Sequence, residues 1–200
     1  ADCAGVQSMS GVGVVALVAV LVIGASILWS TLRTGMPPMP SLGASRRGMV
    51  SLVEVTPAGA IVDMGSGWGA LAVAFARRFP DTPVVGYEIS FFPWLFSLLL
   101  ARLMGLANLS FRRLDFCNAE LMGASVVVCY LMPSGMERVR QRLETDPGDV
   151  DTVISHYFAL RGWEADHIVE LPDLYRTPLY RYRLSPHQPQ AARTTEVMLP

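Results

Sequence analysis

The chain has 200 residues, 52% of them hydrophobic, and 16 basic against 17 acidic side chains leave a net charge of −1. That is enough apolar material for one domain with a full core, and the missing positive excess argues against a protein that grips nucleic acid through its phosphates. The three cysteines, Cys3, Cys117 and Cys129, have no metal-ligand spacing, so neither a metal nor a disulfide framework is expected and the domain belongs in a reducing compartment.

No charged side chain lies between Asp2 and Arg33, and the window GVGVVALVAVLVIGASILW, residues 11–29, is 19 residues long without a charge. A helix of ~20 apolar residues crosses a bilayer core of about 30 Å. A cleaved signal peptide would want a basic n-region and a shorter apolar run. The N-terminal segment 1–32 therefore predicts a single transmembrane helix, with Trp29 at the interface. Arg33, Arg46 and Arg47 follow it, which puts the rest of the chain on the cytoplasmic side or its topological equivalent. Pro37, Pro38 and Pro40 make 33–48 an extended linker. The domain proper is expected over 49–184, and the tail 185–200, poor in core residues, is expected to be disordered.

Within the domain, strand-like and helix-like runs alternate. AIVDM (60–64) reads as a buried strand and ALAVAFARRF (70–79) as the helix after it. PVVGYE (83–88) is a second strand and PWLFSLLLARLMG (93–105) a second helix. The 11 uncharged residues of FFPWLFSLLLA, 91–101, are too few for a second span and suit a buried or interfacial helix with Pro93 in its first turn. LSFRRLD (109–115) is a third strand, and SVVVCYL (125–131), β-branched and bounded by Gly123 and Pro133, a fourth. GMERVRQRLE (135–144) is an amphipathic helix and VDTVISHYF (150–158) a fifth strand. DHIVEL (166–171) and LYRYRL (179–184) read as a closing antiparallel pair. This alternation implies an α/β domain with a parallel sheet covered on both faces, whose ligand binds beyond the carboxyl ends of the strands.

The loop after the first strand, Asp63-Met64-Gly65-Ser66-Gly67-Trp68-Gly69, has bare backbone at alternate positions. A ligand can approach such a loop closely, and the helix it opens presents free N–H groups to an anionic group. Two ligands fit: a dinucleotide through its pyrophosphate, or S-adenosylmethionine (SAM) through its methionyl carboxylate. Gly65, Gly67 and Ala70 satisfy the permissive dinucleotide pattern too. Asp63 favours SAM, because an acid there can face an ammonium, which a pyrophosphate lacks. Glu88 ends the second strand and can accept from ribose hydroxyls. Asp115 follows the third strand and can accept from an adenine amino group, with Phe116 beside the ring.

These residues carry a resemblance. The chain resembles the class I SAM-dependent methyltransferases, and within them the membrane-anchored protein-lysine methyltransferases whose eukaryotic members modify the ATP synthase c-subunit or the adenine nucleotide translocase. The likeness runs through the apolar anchor, the Pro-containing linker, DMGSGWG, GYEISFFPW and VVVCYLMPSGM. Trp68 stands where the family usually has Asp, and the stretch between Glu88 and Pro93 is longer than usual. The resemblance implies a Rossmann-like seven-stranded sheet, SAM as methyl-donor cosubstrate without a metal, and a cofactor site of Asp63, Gly65, Ser66, Gly67, Gly69, Glu88, Asp115 and Phe116. It also implies a lysine of a membrane-associated protein as acceptor, the bilayer as a partner through the N-terminal helix, and no nucleic acid. A free lysine has a pKa of ~10.4, so supplying its neutral amine at pH 7 costs about 4–5 kcal/mol, which desolvation at an apolar mouth reduces. Tyr130, at the end of the fourth strand, is the candidate catalytic residue, orienting the amine. His156 reads better as a satisfied structural histidine. Two alternatives stay open: an NAD(P)-dependent oxidoreductase, and a membrane-tethered SAM-binding protein without catalysis.

Overall fold

The computed structural model of the chain describes residues 11–34 and 43–184. The expected tail over 185–200, Cys3 and the three linker prolines lie outside the described residues. Helix α1 runs from Gly11 to Thr34, 24 residues, and contains the window expected to span a membrane. That expectation is not supported. Among the described residues no helix is long and apolar enough to cross a membrane. Helix α2, Gly43–Ser51, starts inside the stretch read as linker and buries Ser45 and Met49.

From there the alternation follows the sequence reading. Strand β1 (Ala60–Met64) leads through the glycine loop into α3 (Ala70–Arg78), then β2 (Val84–Tyr87), α4 (Phe91–Leu103) and β3 (Leu109–Arg112). A single 3-10 turn at Phe116–Asn118 precedes β4 (Ala124–Cys129). Helix α5 (Pro133–Thr145) opens with proline at its first position, where the missing N–H costs no hydrogen bond. Strands β5 (Thr152–His156), β6 (His167–Glu170) and β7 (Pro178–Arg183) are the last elements among the described residues. They form one seven-stranded sheet in the order β3-β2-β1-β4-β5-β7-β6. β1 to β5 are mutually parallel, and β7 is antiparallel to both β5 and β6. The sheet is therefore mixed, and the closing antiparallel pair is present with β7 inserted between β5 and β6.

The side-chain period of two divides the core between the two faces. Ile61, Val84, Phe111, Val126, Val128 and Ile154 pack with α2, α3 and α4. Their sequence neighbours Val62, Val127, Cys129 and Val153 pack with Met136, Val139 and Leu143 of α5. Burying each such aliphatic side chain stabilises the fold by about 1.5–3 kcal/mol relative to exposure. All six residues of β4 are buried, as expected of a central parallel strand covered on both sides. Edge strand β6 is mostly exposed. The helices after β1 and β2 lie on one face and the helix after β4 on the other, so the crossovers change sides between β1 and β4. Ligands of open α/β sheets bind at that switch point.

Candidate functional site

A cavity of about 430 Å³ opens at the carboxyl ends of β1, β2, β4 and β5. Asp63, Gly65, Ser66, Gly67, Glu88, Asp115, Phe116 and Tyr130 all line it, so the fold assembles eight of the nine residues singled out from sequence. Gly69 stays behind the wall. A Cβ there would stand 2.7 Å from both Phe111 Cζ and Ser97 Cβ, so this glycine admits neighbouring side chains of the fold. Gly67 contrasts with it: its φ is +53°, and nothing lies within 4 Å of the place a Cβ would take. That bare backbone faces open cavity.

Asp63 follows the parity of Ile61 and points toward α3. It is only 1% exposed, and its Oδ2 has no hydrogen-bond partner among the described residues. Burial pushes its carboxyl up to about 7 against the lowering effect of the Ala72 N–H, and the nearby charge of Glu88 pushes the same way as burial. Ser66 Oγ is likewise buried and unpartnered among the described residues. Buried polar atoms without partners are uncommon in folded proteins. Two of them on the wall of a cavity, beside an open glycine, fit a ligand that brings its own donors.

Glu88 ties the site together. Its Oε2 accepts from the Gly67 N–H at 2.9 Å and its Oε1 from the Ser90 N–H at 2.7 Å. One carboxylate thus fastens the glycine loop to the start of α4, and each oxygen keeps a further lone pair for a ligand. The sequence suggested only the ligand-facing half of this role. Asp115 is also engaged: it accepts from the Cys117 N–H at 3.0 Å and pairs with Arg138 Nη2 at 2.6 Å. Burial opposes its ionisation, but those two partners outweigh burial and hold its carboxyl below the usual carboxylate range. The Arg138 guanidinium also lies over the Phe116 ring, 5.0 Å from its centroid. Arg138 was not picked out from sequence, because nothing in α5 distinguishes it from Arg140 or Arg142 until the helix is docked.

The far end of the cavity is aromatic. The rings of Tyr130 and His156 lie 4.0 Å apart, and His156 Nε2 is 2.9 Å from Ser45 Oγ on α2. Burial lowers the imidazole pKa to about 4, against the raising effect of the Asp173 charge, so His156 is neutral at pH 7. It is hydrogen-bonded and packed, as its structural reading holds, yet it also lines the cavity. Tyr157 follows it with φ +66°. A non-glycine side chain in that region is uncommon and costs about 1–3 kcal/mol. Tyr175 and Asp173, from the β6–β7 connection, line the same mouth. Trp68 lines the cavity as well and meets Phe96 edge-on at 5.4 Å.

The family model of the ANTKMT methyltransferase domain matches residues 63–167. A protein-lysine N-methyltransferase of Saccharolobus islandicus (strain REY15A) is 24% identical over 139 residues, covering 69% of this chain and 86% of that protein. The adenine nucleotide translocase lysine N-methyltransferase of Mus musculus is 31% identical over 139 residues, covering 66% of this chain and 58% of the mouse protein. The chain thus spans little more than half the length of that relative. Among solved structures, an RNA methyltransferase from Salinibacter ruber in complex with S-adenosyl-L-homocysteine superposes with a TM-score of 0.66 at 27% identity. The match covers 75% of this chain and 96% of that one. The oxidoreductase alternative falls away, since a dinucleotide-binding sheet has the order 3-2-1-4-5-6 and this one inserts an antiparallel β7 before β6. The chain belongs to the ANTKMT methyltransferase-domain family, and it is a SAM-dependent methyltransferase.

Proposed function

We propose that this enzyme methylates a lysine amine of a membrane-associated protein, held near the bilayer by the apolar segment 11–29. The observation that carries the acceptor class is the mouth formed by Tyr130, His156, Tyr157, Tyr175 and Asp173. When bound, SAM supplies an electrophilic methyl group on its sulfonium. Asp63 faces the ligand's ammonium and the amino end of α3 its carboxylate. The spare lone pairs of Glu88 receive the ribose hydroxyls, while Asp115 and Phe116 receive the adenine. On the acceptor side, Asp173 holds the entering cation. Its carboxyl is kept below the usual range chiefly by hydrogen bonds from Thr177, so it is ionised at pH 7.

Past Asp173 the walls are rings. Tyr130 and Tyr157 strip water from the amine, which lowers its pKa. The neutral imidazole of His156 adds no positive charge to hinder the approach. Tyr130 orients the nitrogen through its hydroxyl. No strong base is needed, because desolvation reduces the cost of deprotonation and the released proton leaves through the mouth to water.

Two experiments test this reading. This chain contains no lysine, so methyl-lysine recovered after incubation with labelled SAM comes from the acceptor. Label on lysine in a membrane fraction supports the proposal. Label confined to RNA, the substrate class of the Salinibacter relative, overturns it. SAM binding without any transfer identifies the catalytically silent alternative. The anchor is tested by alkaline carbonate: a chain spanning the bilayer through 11–29, with its domain on the side of Arg33, Arg46 and Arg47, stays with the membranes, and release rejects the span.

A further inference from the structure

Helix α4 is apolar on nearly every side, yet the sheet takes only part of it. Of its 13 residues only Pro93, Ser97 and Ala101 are buried. Phe96 is 48% exposed, Leu99 54% and Leu103 87%. With Leu95, these positions fall at the helical spacing of three to four residues and form one outward stripe. Phe91 extends it at the amino end, 41% exposed.

Three observations indicate what covers this stripe. It is continuous with the rim of the active site: Trp68, Ile89 and Leu114 line the cavity, Trp68 packs on Phe96, and Ile89 and Leu114 are themselves 43% and 38% exposed. Its own segment supplies charge of one sign: between Ile89 and Leu114 the only ionisable side chains are Arg102, Arg112 and Arg113, of which Arg112 pairs with Glu120 at 3.5 Å. The Arg113 guanidinium lies 5.4 Å from the Phe91 ring centroid, the pairing of an aromatic body and a cationic head suited to an interface. Finally, α1 comes against α4, so the helix that bears this stripe is the one beside the apolar amino-terminal segment.

We infer that α4 is an interfacial helix whose Phe91–Leu103 stripe lies in the surface of an anionic phospholipid bilayer, bringing the cavity mouth to the membrane plane. A helix lying in the interface buries its outward apolar surface about 5–10 Å into the headgroup–acyl boundary, and nearby arginines pair with anionic headgroups. The inference rests on the membrane reading above only in placing the domain beside a bilayer. It makes α4 a second contact, separate from the 11–29 segment. The acceptor lysine would then be taken at the headgroup level.

The test uses the full chain with Cys3 and Cys117 changed to serine, mixed with phosphatidylcholine vesicles containing about one quarter phosphatidylglycerol. Nitroxide labels are placed one at a time at Leu99→Cys, Leu103→Cys and, as a reference on α5, Gln141→Cys. Collisions with oxygen and with a water-soluble nickel chelate are then measured. At 99 and 103, oxygen is expected to dominate by severalfold, and at 141 the chelate. Equal exposure of all three labels to the chelate overturns the α4 contact, even if carbonate leaves the protein on the vesicles and the anchor stands. Shielding of 99 and 103 from both reagents also overturns it, because a protein surface then covers the stripe. Immersed labels on protein that carbonate removes uphold α4 and reject the anchor.

Discussion

The two ends of the cavity are built by different means. At the β1–β2 end the wall leans on backbone: Gly65 and Gly67 both have positive φ, and Glu88 is bonded to two main-chain N–H groups. At the β4–β5 end the wall is side chains, drawn from α2, β4, β5 and the β6–β7 connection, with Tyr157 and Tyr175 47% and 78% exposed. A backbone wall admits little substitution, since each residue is held by its own torsions and by neighbours without slack. A side-chain wall can change its lining while the strands stay where they are. The first end suits a constant methyl donor and the second an acceptor that differs between relatives.

The sharpest way to break this contrast is at Gly67. Gly67→Val puts a β-branched residue at φ +53°, which costs roughly 1–2 kcal/mol in the left-handed region, and fills open cavity. SAM affinity by calorimetry should fall at least about 100-fold, ~2.7 kcal/mol, in a protein that still melts cooperatively. Gly69→Ala should invert the pattern. Its methyl has nowhere to go beside Phe111 and Ser97, so stability falls by the ~1–3 kcal/mol of an overpacked core and the melting temperature drops with it. The affinity of the folded fraction moves less. If the two variants behave alike, cavity-facing and buried glycines are not distinguished.

Glu88→Ala comes next. It removes the acceptor for two N–H groups and the one proposed for the ribose, and SAM affinity should weaken about ten- to a hundredfold, the ~1.5–3 kcal/mol of a hydrogen bond to a charged group. Unchanged affinity in a folded variant rejects the assignment.

Titration of Asp63 gives a smaller effect with a definite sign. In the free protein its pKa is about 7, and an ammonium opposite would lower it. Below pH 7 binding must therefore expel a proton, and affinity should fall by up to tenfold per pH unit as pH drops. Asp63→Asn should flatten this dependence. In the ligand-free protein the raised pKa works the other way: Asp63 favours folding at pH values below its ordinary value of 3.8, and that contribution is lost as pH rises to about 7. His156, depressed from 6.5 to about 4, opposes it, contributing stability above its unfolded pKa that is lost as pH falls through the folded one. The Asp63 effect is therefore read from the difference between wild type and Asp63→Asn, not from the wild-type melting curve alone.

At the aromatic end single changes should do least. Tyr130→Phe keeps the ring on His156 and loses only a hydroxyl, so methyl transfer should slow by about two- to tenfold, with SAM affinity unchanged. A loss approaching that of Glu88→Ala would show that this end is as tightly specified as the other.

Periodicity and turn chemistry in the sequence determined the strand–helix alternation, the glycine loop on the first strand and the acids at successive strand ends. Each of these is a local property of ten or so residues, read from alternation along a strand or from glycine after it. The positions of Asp63, Glu88 and Asp115 in one cavity then follow from a parallel sheet, which aligns the carboxyl ends of its strands. Tertiary structure alone decided the rest. Ser45 reaches His156 across 111 residues, Arg138 meets Asp115 only once α5 packs on its face of the sheet, and Tyr175 joins the mouth because β7 inserts beside β5. It also decided that Gly69 is a packing glycine and that Glu88 grips the loop. These outcomes depend on which surfaces meet when apolar faces are buried, and no short window of sequence holds both partners.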